Sequence, residues 1–299
     1  MTRKYPFFSE VSLHTADEVW LAMSPTTQLR PEPYDFVFRG QGDSRWSLIP
    51  SVLRPRNQPP IITEGEMVDA SSMVFLELEY LSSFARHCDN IGISVPNDSQ
   101  EFRRDVVNSQ RADRFYKDPS LWPDSRLLDL MAMAQHHGVP TRFLDWTTKA
   151  YTAAYFAASS ALSRFDAWCE QDRLAIWALD LERIGLHPAV VMHRSPGAIS
   201  RHLAAQGGLF TVHPHSGVRR GTFVVQGFEN YLSDLPESPL IKITMPVFES
   251  ARLLRLCSQA GFNAAHIYPS ADGAGRAVID EMNIDGAVRR WNGNKIWVR

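Results

Sequence analysis

Thirteen consecutive residues constrain this chain more than any others. Gln135-His136-His137-Gly138-Val139-Pro140-Thr141-Arg142-Phe143-Leu144-Asp145-Trp146-Thr147 stands between two apolar stretches of helical spacing. A polar run held between two core helices cannot drift into solvent, and every backbone group it buries needs a partner. Asp124 is placed to cap a helix through about residue 137, with Leu127, Leu128, Met131 and Ala134 facing inward. Gly138 ends it, and Val139-Pro140 cannot continue it. Residues 141–146 then read as a short strand or extended loop. Thr147 or Thr148 caps a second helix over 150–162, whose Ala153, Ala154, Ala157 and Ala158 permit close packing. Two readings of the polar side chains stand side by side. Gln135, Thr141, Asp145 and Thr147 can satisfy buried backbone. The whole set, with its imidazoles, Arg142 and carboxylate, can instead line a pocket.

Around this unit the remaining elements fall into an α+β order. A short helix is expected over 16–23, followed by a break at Pro31-Glu32-Pro33, a strand over 35–39 and a turn at Gly40-Gln41-Gly42-Asp43. A second break falls at Pro59-Pro60, and residues 64–88 form the longest helical candidate. Residues 89–120 are polar and broken by Pro, Asp and Asn, which predicts a long surface excursion. The second half predicts strands over 174–179, 209–213, 222–225 and 240–245, then a helix over 250–260 closed by Gly261. Helices crowd the first half, and a mixed sheet is completed by the second.

Composition narrows the class of protein. A hydrophobic share of 44% and a charged share of 21% can furnish a packed core, which excludes wholesale disorder. A net charge of −2 provides no long-range attraction to nucleic acid or anionic membrane, although a local basic groove stays compatible with it. Cys88, Cys169 and Cys257 are sparse, odd in number and far apart, so a disulfide framework is not expected. No apolar run reaches membrane-spanning length and no secretory h-region follows the N-terminus; the expected address is the cytoplasm.

Two further segments carry candidate chemistry. Arg39 closes the apolar run Phe36-Val37-Phe38 and precedes Gly40, which lets a ligand approach the backbone. A guanidinium there suits a phosphate or carboxylate ligand, or equally a structural carboxylate that ties down the following loop. In Gln206-Gly207-Gly208-Leu209-Phe210-Thr211, a carboxamide precedes a strand; it can hydrogen-bond ribose hydroxyls or serve only the loop. His136-His137 and His213-Pro214-His215 lack metal-ligand spacing, so no metal is expected. Nucleophile-elbow, P-loop and dinucleotide fingerprints are absent from the sequence.

Taken together, these segments resemble the FRG domain. Phe38-Arg39-Gly40-Gln41 with Leu48-Ile49-Pro50-Ser51 and Leu53-Arg54 is similar to its opening. The stretch from Gln135 to Thr147, followed by Ala153-Ala154-Tyr155-Phe156-Ala157, resembles its most distinctive block. Ala204-Ala205-Gln206-Gly207-Gly208-Leu209-Phe210-Thr211 resembles a third block, and Ile241–Met245, Leu253–Gly261 and Ile267-Tyr268-Pro269 resemble its closing strand–helix–strand. The resemblance spans about residues 34–275, with 1–33 as an N-terminal extension and 276–299 as a tail packed on the domain.

The family's layout is in turn similar to that of ADP-ribosyltransferases, which implies a mixed or antiparallel sheet of that type with a helix-rich N-terminal half. It implies NAD as the substrate bound, with Arg39, Asp145 and Gln206 as catalytic positions: Arg39 on the diphosphate, Asp145 on developing positive charge or as base, Gln206 on the ribose. Phe38, Gly40, Gln41, Gln135, His136, Thr141, Arg142, Trp146 and Thr147 are the implied NAD-binding positions. Trp46 and Trp146 are candidates for stacking on a base or nicotinamide ring. A glutamine rather than a glutamate at position 206 departs from many active transferases, and Ser270-Ala271-Asp272-Gly273 keeps only part of a closing acidic motif. The implied activity is transfer to a macromolecule, nucleic acid or protein, by a bacterial toxin or anti-phage effector with an antitoxin as possible partner. The alternatives are an inactive nucleotide- or partner-binding module, and a nucleic-acid hydrolase using His136, His137 and Asp145.

Overall fold

The computed structural model describes residues 2–4, 7–25, 35–54, 69–185, 187–195, 205–215 and 217–291. The expected breaks at Pro31-Glu32-Pro33 and Pro59-Pro60, and residues 64–68 of the expected long helix, lie outside the described residues.

Among the described residues, eight strands form one sheet: β1 (Thr2–Lys4), β2 (Ser9–Ser12), β3 (Phe36–Gln41), β4 (Phe143–Thr147), β5 (Arg173–Asp180), β6 (Val191–His193), β7 (Gly208–Val212) and β8 (Leu240–Pro246). Their order is β1-β2-β8-β5-β3-β4-β7-β6. The β2–β8 pair is parallel and the other pairs are antiparallel, so the sheet is mixed. Residues 174–179 of β5 are buried throughout, as an unbroken apolar run covered on both faces must be. The helices are α1 (Ala16–Ala22), α2 (Ala70–Asn90), α3 (Gln100–Asp105), α4 (Asp113–Lys117), α5 (Leu128–His136), α6 (Ala150–Leu162), α7 (Leu181–Ile184), α8 (Ser250–Gln259), α9 (Ala264–Ile267) and α10 (Ala271–Trp291).

The pairing has one weak seam. β3 pairs with β5 along its length, from Phe36↔Asp180 to Gln41↔Ala175, and β4 pairs fully with β7, from Phe143↔Val212 to Thr147↔Gly208. Between β3 and β4 the register holds a single pair, Phe38↔Thr147. From that point the sheet opens into two wings, β1-β2-β8-β5-β3 and β4-β7-β6.

Each wing has its own helical cover. Against the larger wing, α6 packs with α1, α8 and α10 around Ala153, Ala157, Leu174, Ile243 and Leu253. Its alanines have a clear purpose. A Cβ on Gly40 would fall 2.1 Å from the Ala153 carbonyl oxygen, and one on Gly42 would fall 2.6 Å from Ala161 N. Residues two apart on one face of an extended chain are about 6.6 Å apart. Four helical residues rise about 6 Å. The Gly40/Gly42 pair therefore matches the Ala153/Ala157/Ala161 ridge, and helix backbone presses onto strand backbone. The close approach expected at Gly40 is made by α6.

Over the smaller wing, α2 and α5 bury Leu78, Leu81, Leu130 and Met131 against Phe143, Phe210 and Val212. Residues 89–120 belong to this lobe instead of running over its surface: they form α3 and α4 and insert Val95, Phe102, Val106 and Phe115 into the same core. Local polarity hid apolar anchors spaced through the segment. A third core, with Val37, Leu144, Trp146, Trp177 and Phe228, fills the opposite side of the sheet.

Several expected elements arrive nearly where the spacing places them, among them α1, α6, β5, β8 and α8. Others shift. Asp124 caps a 3-10 turn, Ser125–Leu127, through Arg126 N at 3.0 Å, and α5 follows without a side-chain cap. The turn expected at Gly40 begins later, because β3 runs through Gln41. Residues 222–225 form no strand; Thr222 makes an isolated bridge to Asp69. In the described parts of the two flanks, β2 pairs with β8, and α10 runs without interruption across position 276.

Candidate functional site

The cleft at the seam is made possible by one side chain. Where the β3–β4 ladder stops, the Asp145 carbonyl would lose its strand partner, and Arg39 Nη1 donates to it at 2.8 Å. The same nitrogen lies 3.3 Å from Asp145 Oδ2. Gln135 Nε2 donates to Asp145 Oδ1, and Thr141 Oγ1 donates to Gln135 Oε1. A chain of polar contacts thus links β3, the start of β4 and the end of α5. The pair is asymmetric in its exposure: the Arg39 side chain is 12% exposed and that of Asp145 61%. The guanidinium is held by the fold, and the carboxylate faces the opening.

The cleft has a volume of about 590 Å³, within the roughly 300–1,000 Å³ range of small-molecule sites. Arg39, Asp145 and Gln206 all line it, from three distant parts of the chain. Gln206 is positioned through its backbone: Thr147 Oγ1 donates to its carbonyl at 2.5 Å and accepts from Lys149 N at 3.0 Å. Its side-chain Nε2 lies 3.5 Å from the Ile267 carbonyl. Phe38, Gly40, Gln135, His136, Trp146 and Thr147 also line the cleft. The Trp146 indole is 2% exposed and donates to Thr211 Oγ1 at 3.0 Å, so it belongs to the core beneath the wall. Trp46 lies outside the lining, 44% exposed, with the Arg164 guanidinium 4.5 Å above its ring.

Three expected NAD-binding residues do not line the cleft. Gln41 is sealed under the sheet, accepting from Trp177 Nε1 at 2.7 Å and donating to the Ser47 carbonyl. Thr141 is buried, bonded to Gln135, to Phe143 N and to Ser51 Oγ. Arg142 has no exposed surface; its Nε donates to Glu77 Oε2 at 2.7 Å, its Nη2 to Glu77 Oε1, and its Nη1 to the His213 carbonyl at 3.0 Å. Strand alternation and the start of β4 turn these groups inward, where each is satisfied by its own buried partners.

Sequence reasoning gave no site role to part of the wall. Phe156, Ser160, Tyr268, Ser270, Asp272 and Arg276 face the cleft. Phe156 and Ser160 lie four apart on α6, a spacing that puts two residues on the same face of any helix. Arg276 has no local signal, since only the turn between α9 and α10 brings it back over Tyr268. Its Cζ lies 4.9 Å from the ring centroid. Burial pushes the Tyr268 hydroxyl pKa up; Arg276 opposes that shift, and Asp145 and Asp280 reinforce it. Glu77 was also missed. A carboxylate within the apolar stripe Val74, Leu78, Leu81 of α2 demands a buried partner, and Arg142 is that partner. Glu281 lines a separate depression with Asp280, away from the cleft. Among the described residues, no group of three or more His, Cys, Asp and Glu side chains is arranged to hold a metal ion, and no helix is long and apolar enough to cross a membrane.

Fold and site together define an α+β protein whose mixed sheet divides over a polar cleft with aromatic walls. Residues 34–165 match the family model of the FRG domain. That match contains β3, the α2–α5 lobe, β4 and α6, and so contributes Arg39 and Asp145; Gln206, Tyr268 and Arg276 lie beyond it. No curated protein and no solved structure matches the chain.

Proposed function

We propose that the cleft binds NAD and transfers its ADP-ribose to a macromolecular acceptor. The observation that carries this reading is the meeting of Arg39, Asp145 and Gln206 around one opening at the seam of the sheet. The resemblance of these three positions to the layout of ADP-ribosyltransferases supports it, and the sheet would then be of that type. In the reaction, the bond between the nicotinamide nitrogen and ribose C1′ breaks, and its electron pair leaves with neutral nicotinamide. The acceptor's nucleophile bonds to C1′, and its proton passes to a carboxylate or to water. Positive charge gathers on the ribose during this exchange, and a fixed carboxylate stabilises it. Asp145 is fixed on both oxygens, by Arg39 and by Gln135, yet remains open to the cleft. The Gln206 carboxamide, on the cleft wall, would hydrogen-bond ribose hydroxyls without adding charge. A toxin or anti-phage effector, neutralised by an antitoxin, is the setting that the family resemblance suggests.

Incubation of the protein with labelled NAD and cell extract tests the proposal, with Arg39→Ala alongside and the labelled product digested by nuclease or by protease. Label that becomes soluble under only one treatment identifies the acceptor. Absence of both transfer and nicotinamide release rejects the enzyme. The glutamine at 206 favours a second reading, a nucleotide-binding module without turnover. Calorimetry that detects NAD or ADP-ribose binding while no nicotinamide is released would select it.

A further inference from the structure

Two guanidinium groups line the cleft, and they differ in what already holds them. Arg39 is engaged by the Asp145 carbonyl and carboxylate, and its Nε is buried. Its charge is largely offset before any ligand arrives. Arg276 forms no ion pair within 4.0 Å among the described residues, although Asp272 lies one helical turn earlier on α10 and also lines the cleft. Its recorded partner is the face of Tyr268. That ring packs edge-on against Phe156, with centroids 6.3 Å apart, and all three residues line the opening. A cation seated on a packed aromatic ring keeps its N–H donors free and loses little side-chain entropy when an anion binds.

We propose that Arg276, seated on Tyr268, is the anion-binding arm of the cleft and takes a phosphate of the bound nucleotide, a role that Arg39 does not perform. This rests on the reading that a nucleotide occupies the cleft. It assigns the two arginines to different ends of the ligand. Arg39 and Asp145 address the ribose at the seam, and Arg276 addresses the phosphates at the α9–α10 corner. The cleft then selects for phosphorylated ligands through a residue outside the matched FRG segment.

Calorimetry on the full chain with ADP, adenosine and inorganic pyrophosphate tests this. A charge-assisted contact to phosphate contributes enough that Arg276→Gln should weaken ADP binding about tenfold or more. Adenosine binding should change little, and Arg276→Lys should recover part of the loss. Arg276 is exposed, so the substitution leaves the core intact, and Arg289→Gln on the same helix should behave as wild type. An Arg276→Gln protein that binds ADP like wild type overturns the proposal, as does one that loses ADP and adenosine equally. Wild-type protein that binds neither ADP nor pyrophosphate also overturns it. The transferase reading fails separately: ADP binding that depends on Arg276, with no release of nicotinamide from NAD, rejects catalysis and leaves the arm standing.

Discussion

Arg142–Glu77 and Arg39–Asp145 are the same kind of pair in opposite surroundings. In the first, exposures of 0% and 3% leave no water around either charge. In the second, the arginine is 12% exposed and the carboxylate 61%. Removing two charges from water costs several kcal/mol per ion, which only close pairing and full hydrogen bonding recover. Arg142 has that full set: both Glu77 oxygens and the His213 carbonyl. The open pair contributes little to stability and leaves a carboxylate available to a ligand. The difference teaches that residues three apart in one polar segment can be divided between holding the fold and facing a cleft, and that water access makes the division.

The sharpest way to break this comparison is to remove one partner from each pair. Glu77→Ala strands the Arg142 guanidinium in the core and should lower stability by about 3–5 kcal/mol in urea unfolding. A loss under ~1 kcal/mol would mean that water reaches the pair. Arg39→Ala should leave a folded protein and reduce nicotinamide release roughly 100-fold, the scale of losing one electrostatic donor in an active site. Release at the wild-type rate would return Arg39 to a structural role.

Acid should separate the two regions further. His213 and His215 lie near Arg142; burial first, and then the Arg142 charge, lower both imidazoles to about 3 from an ordinary 6.5. Between those values the unfolded chain binds protons that the native state refuses, so stability rises with pH across the window and falls on acidification. The slope should approach ~1.4 kcal/mol per pH unit for each imidazole, read from unfolding at pH 7, 6 and 5. His213→Gln should flatten it. The smallest effect belongs to the open pair: Asp145→Ala should change stability by less than about 1 kcal/mol while suppressing turnover. A large loss of stability there would place Asp145 with Glu77.

The candidate site was legible in outline for a physical reason. Polar residues crowded between two apolar helices must be paired or must face a cavity, so residues 135–147 announced a special place. Which of the two each residue does depends on strand direction and on neighbours far along the chain. Arg142 and Asp145 look alike as candidates until Glu77 on α2 and Arg39 on β3 are seen to claim them. Arg276 shows the same limit from the other side, since its partner ring becomes a neighbour only through the turn between α9 and α10. Residues 89–120 read as surface because their polar average conceals a few well-spaced apolar anchors.

From the order of residues alone came the α+β class, the Ala-rich helix, the central apolar strand and the three segments where chemistry was to be sought. Those follow from local rules: the period of apolar positions, the geometry of glycine and proline, and the need to pair buried polar groups. Only the folded chain decided that β3 and β4 share a single pair, that α6 presses on Gly40, and which arginine is sealed and which lines the cleft. Those outcomes arise where segments distant in sequence compete for the same space and the same hydrogen-bond partners, a contest that local pattern does not record.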